Sequence, residues 1–150
     1  MNLYDFVKQS NRIEGIVRPP RDAEIDAHGE LLKISDVMIA DVERFVSVVQ
    51  PGAILRRTAD LNVRVGDHIA PTGGANIEVK LDEILGDLLD GDPYEVHRRY
   101  ETLHPFTDGN GRSGRALWLY MMDRAGQIDR ALDLGFLHAW YYQSLAASRI

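Results

Sequence analysis

Three observations predict a mainly α fold, a single domain of about seven helices with one small β-hairpin flap. Apolar residues recur at helical spacing along most of the chain. One stretch alone alternates with a period of two, with Leu61, Val63 and Val65 on one side and Asn62 and Arg64 on the other. The length, 150 residues with 45% hydrophobic and 27% charged side chains, suits one core and is too short for two ordinary ones.

Taken in order, Leu3, Phe6 and Val7 mark a short amphipathic helix over residues 2–10, broken by Asn11, Gly15 and Pro19-Pro20. Ile25, Ala27, Leu31 and Leu32 give a weaker helix over 22–33. Ser35 reads as the N-cap of a core helix carrying Val37, Ile39, Val42, Phe45, Val46 and Val49, ended by Pro51-Gly52. The alternating stretch, with Gly66, Pro71 and Gly73-Gly74 as turn residues, predicts a flap over about 61–78. Leu81, Ile84, Leu85, Leu88 and Leu89 restore helical spacing up to Gly91. Asp92-Pro93, an N-cap and first-turn pair, starts a helix to about Leu103. Residues 116–124 are apolar nearly all round, which predicts a buried helix stopped by Gly126, and a last helix is expected over 135–148.

The chain has no cysteine, which removes disulfides, cysteine metal sites and thiol catalysis. A net charge of −6 argues against wholesale binding to nucleic acid or anionic lipid. No run approaches the roughly 18 apolar residues of a membrane span, and the polar start lacks a signal-peptide pattern, so a cytoplasmic protein is expected.

Function concentrates in HPFTDGNGRSGR, residues 104–115. Glycine adds chain entropy and clustered arginines repel, so a purely structural loop has little use for this mixture. A phosphate-handling loop does. Gly109 and Gly111 leave backbone NH groups open to an anion at the start of the next helix, and Arg112 and Arg115 lie three apart on one helix face. Asp108 is a hard ligand for Mg²⁺, Asn110 an amide donor, and His104 a base with an ordinary value near 6.5. Phe106 reads as an apolar anchor. Taken singly, each has a plainer reading as a turn, a helix end or a surface charge. Two other patterns fail: Arg115-Ala116 replaces the Lys-Ser/Thr of a P-loop, and Ser113 and Leu119 stand where an EF-hand needs Gly and Glu.

These twelve residues match the signature HPFx[D/E]GNGRxxR at every specified position, and so resemble the Fic (Fic/Doc) family. A chance match lies below about one in 10⁸ per position, so the resemblance outweighs the plainer readings. It implies a Fic-type helical domain that transfers AMP from ATP to a Ser, Thr or Tyr hydroxyl of a protein docked along the flap, or of itself. By that resemblance His104 is the general base and Asp108 holds Mg²⁺. Gly109, Asn110, Gly111, Arg112 and Arg115 would bind the ATP phosphates, with Arg115 at the γ-phosphate. Ser10 and Glu14 in Ser-Asn-Arg-Ile-Glu-Gly fit the family's inhibitory pattern [S/T]xxxE[G/N], with residues 1–15 as an inhibitory helix and Glu14 paired with Arg115. Tyr141 and Tyr142 stand where aromatics flank adenine in relatives, and equally suit core packing. The alternatives are removal of AMP, transfer of another phosphate-containing group, and a non-catalytic binding module. Phosphoryl transfer of the Doc type is disfavoured because Gly111 stands where those relatives have Lys. The target and the oligomeric state are not legible.

Overall fold

The computed structural model describes residues 2–65 and 67–134. Among them are seven helices: α1 (Leu3–Ile13), α2 (Asp22–Leu32), α3 (Ile39–Val49), α4 (Ala75–Gly86), α5 (Pro93–Leu103), α6 (Asn110–Arg124) and α7 (Ile128–Leu134). A two-stranded antiparallel hairpin, β1 (Arg64–Val65) and β2 (His68–Ile69), pairs Arg64 with Ile69 and Val65 with His68. No helix of the described residues is long and apolar enough to cross a membrane.

Helix α6 is the axis of the core. Leu117, Leu119, Tyr120 and Met121 are all buried, as an all-round apolar helix must be, and α1, α2, α3, α5 and α7 pack around it. The α5 and α6 backbones come close at Gly114, where a Cβ would collide with the Glu101 carboxylate and lie 3.0 Å from the Tyr100 ring. Helix α5 starts as its sequence requires, with Asp92 accepting from Tyr94 NH at 3.0 Å and Pro93 in the first turn.

The structure corrects several boundaries. Helix α1 runs on to Ile13. Helix α3 begins at Ile39 rather than after Ser35, because Asp41 reaches back to accept from Met38 NH at 2.8 Å and closes the first turn there. Val37 is buried all the same. Helix α4 starts at Ala75, so residues 75–78 leave the expected flap, and the paired strands are only two residues each. The weak pattern of α2 has a physical cause: its inward residues are Glu24, His28 and Leu31, at helical spacing but two of them polar. Glu24 is held by Arg18 at 2.7 and 3.1 Å. A helix over 128–134 was not expected; the last helix expected over 135–148, with Tyr141 and Tyr142, lies outside the described residues.

Candidate active site

The loop between α5 and α6 begins with a helix end whose orphan carbonyls are all taken up. The last turn of a helix leaves carbonyls without intrahelical partners. Here Tyr100 O accepts from His104 NH at 3.0 Å and Glu101 O from His104 Nδ1 at 2.9 Å. Thr102 O accepts from His68 Nε2 of the hairpin at 2.9 Å. Leu103 O and His104 O accept from Arg56 at 2.8 and 2.7 Å. His104 itself caps α5 in the left-handed region, φ 51° and ψ 63°, a conformation non-glycine residues seldom adopt without support. A carbonyl only accepts, so Nδ1 carries the proton of the neutral ring and Nε2 is its basic nitrogen.

Arg56 was missed in the sequence. It is fully buried, and its guanidinium also donates to Leu61 O at 3.1 Å and Pro71 O at 2.7 Å, the two ends of the flap. Burial lowers its pKa, and the four acceptors of its guanidinium are backbone carbonyls rather than carboxylates. Several charge-assisted bonds and the negative end of α5 offset that desolvation. Nothing in the local sequence marks it, since its partners are carbonyls up to 48 residues away.

Two further ties fix the loop. Pro105 O accepts from Arg56 NH and Ile54 O from Thr107 NH, each at 2.9 Å, and Leu55 bridges Phe106. Phe106 is 1% exposed. The Asn110 amide closes on the Phe106 backbone in both directions, at 2.8 Å each, so this carboxamide holds the loop's shape instead of facing outward to a phosphate. Asp108 is exposed at the loop mouth, with Oδ1 accepting from Gly109 NH at 2.8 Å. Gly109 has φ 77° and packs on α3, where a Cβ would lie 3.2 Å from Gln50 Cβ, so left-handed backbone and close packing both require it.

The two arginines of α6 go to different helices. Arg112 turns to the C-terminal end of α3, donating to Val49 O at 2.6 Å and Gln50 Oε1 at 2.5 Å, and its buried Nε has no partner among the described residues. Burial lowers its pKa, against the opposing pull of Glu14 and Asp108. Arg115, 1% exposed, turns to α1: Nε donates to Ser10 Oγ at 2.8 Å, and Nη2 to Ser10 O at 2.9 Å and Glu14 Oε1 at 2.7 Å. The Glu14 carboxylate lies against Gly111, where a Cβ would collide with it. Glu14, Gly111 and Arg115 are thus brought together, while Arg112 is drawn away to α3.

Beneath the arginines lies His28, 2% exposed and edge-on to Phe45 with ring centroids 4.8 Å apart. Its Nδ1 donates to Glu24 O at 2.7 Å, and Nε2 is buried without a partner among the described residues. Burial first, and Arg115 and Arg112 further, push its pKa down to about 4. The sequence offered no signal that this histidine feels the charge of the loop's guanidiniums.

Among the described residues no three His, Asp or Glu side chains converge on a possible metal position. Compared with the curated proteins, the chain matches none. Compared with family models, residues 25–122 match the one described as the Fic/DOC family, a span that takes in the loop 104–115 and leaves out Ser10 and Glu14.

Proposed function

The chain belongs to the Fic/DOC family, and on that premise we propose that it is a protein adenylyltransferase, moving AMP from ATP to a Ser, Thr or Tyr hydroxyl of a protein, the chain itself included. The observation that supports this reading is the pairing, in one loop, of a histidine whose Nδ1 faces a carbonyl with a glycine-led helix start that no side chain caps. Nε2 of His104 takes the proton of the acceptor hydroxyl. The oxygen attacks the α-phosphorus, the bond from that phosphorus to the bridging oxygen breaks, and pyrophosphate leaves. The first NH groups of α6 and the Arg115 guanidinium receive the phosphate oxygens, and catalysis is positioning and charge stabilisation. Asn110 serves by holding the loop, and Arg112 by its charge.

Asp108 fits Mg²⁺. It is an exposed hard-oxygen donor beside the phosphate position, and an ion held by one carboxylate, phosphates and water needs no three-residue cluster. When bound, the ion supplies positive charge to the phosphate oxygens. The hairpin offers its edge to an extended segment of the target.

Glu14 restrains this activity. Its carboxylate lies over Gly111 and takes one of the Arg115 donors, the place a terminal phosphate would claim. The test is incubation with ATP labelled at the α- or the γ-phosphate, using the native chain and Glu14→Gly, with mass spectrometry of the products. AMP transfer requires label from the α-position only, and more of it in Glu14→Gly. Label from γ alone means phosphoryl transfer, and label from neither means a binding module; both overturn the reading.

A further inference from the structure

The partners of Arg56 form two groups. Leu61 O and Pro71 O are the two ends of the flap, just before β1 and just after β2; Leu103 O and His104 O are the end of α5. One buried guanidinium thereby joins the element proposed to dock the target to the backbone of the residue proposed to activate its hydroxyl. The backbone of Arg56 adds to both sides, with its NH on Pro105 O and its carbonyl accepting from Gly74 NH, each at 2.9 Å. A lysine offers one nitrogen where this cluster needs donors pointing in four directions from a planar fork.

We infer that Arg56 is a positioning residue: it holds His104 in its left-handed turn, with Nδ1 on Glu101 O, and sets the flap in a fixed register to the His104 ring. The inference rests on the proposed role of His104. Arg56 touches no substrate and acts only through the carbonyls. Without it the end of α5 loses two of its five acceptor contacts, and the turn that sets Nδ1 on Glu101 O loses its support.

The experiment uses the full chain with Glu14→Gly, carrying in addition Arg56→Lys, Arg56→Met or, as a control, Arg57→Ala. Arg57 pairs with Glu43 and Glu78 on the surface, so its loss disturbs packing between α3 and α4 without reaching the loop. Nitrogen NMR of the imidazoles, with the His104 signals assigned by their absence in His104→Ala, reads the tautomer directly. Transfer of label from α-labelled ATP to the chain itself gives turnover and KM. The expected result is a His104 protonated on Nδ1 in the parent and in Arg57→Ala, and loss of that preference in both Arg56 variants. Turnover should fall at least tenfold in the Arg56 variants, with KM for ATP within about twofold of the parent. A tautomer unchanged in a folded Arg56→Met overturns the inference. If Arg56→Met does not fold, Arg56→Lys decides it on the same readout. If the parent transfers no label, the adenylyltransferase reading fails, and the tautomer still decides the role of Arg56.

Discussion

The two ends of the loop are held by different kinds of partner. At the base end, His104 and its neighbours are tied to backbone carbonyls and amides, and to Arg56 and His68 that bond such carbonyls. At the anion end, Arg112 and Arg115 rest largely on side chains of other helices: Gln50, Ser10 and Glu14. Backbone partners stay in place as long as the fold does, whereas a side chain can rotate away. The difference teaches that the His104 end of the loop is set by the fold itself, while the two arginines rest in part on contacts that side-chain rotation can change.

Removing the base should have the largest effect. His104→Ala is expected to lower turnover by roughly 10² to 10⁴ while ATP binding, measured by calorimetry, changes little. Full transfer activity in this variant would remove the base end from the comparison altogether.

Acid should strike the anion end next. His28 has a pKa of about 4 in the folded chain, below the ordinary 6.5 it recovers on unfolding. Below pH 6.5 the unfolded chain takes up a proton that the folded chain refuses until about pH 4, so stability falls across that window. The loss amounts to about 3 kcal/mol at its limit. Urea midpoints at pH 7 and pH 4.5 should differ less in His28→Gln than in the native chain, and an equal difference would assign the acid response elsewhere.

Glu14→Gly should raise transfer on the order of tenfold, equivalent to about 1.4 kcal/mol. The figure is modest because the Glu14 side chain is 34% exposed and water competes for its pair with Arg115. Gln50→Ala should have the smallest effect. Arg112 keeps Val49 O and loses one partner, so KM for ATP should rise by about threefold with turnover nearly unchanged. A large fall in turnover instead would mean that the clamps are as fixed as the base.

What was legible follows the same division. The helices and the loop could be read because periodicity and a twelve-residue motif are local signals, and α5 and α6 lie close to where that reading put them. The start of α3 was misread because Ser35 is an attractive N-cap by type, while Asp41 closing on Met38 decides the matter by geometry. Glu24 and His28 disguised the inner face of α2, since a buried polar residue looks like a solvent-facing one until its partner is known. Arg56 was hidden for the opposite reason, because its partners are carbonyls, which every residue carries. Asn110 and Arg112 could be named as part of the site but not aimed, as Asn110 donates to Phe106 O and Arg112 divides its donors between Val49 O and Gln50 Oε1.

One contact bears on how quickly the site would respond. Arg115 meets α1 through three bonds, and two of them belong to Ser10. When the carboxylate of Glu14 swings out, the guanidinium is still moored, and the helix beneath it, with Phe6 and Val7 sealed in the core, has no reason to lift. Opening the site is then a rotation about a few single bonds in one side chain at the surface, a motion of picoseconds to nanoseconds rather than of domains. On the proposed reading, restraint of this kind would set a level rather than a delay, following the nucleotide concentration from moment to moment with no memory of the previous state.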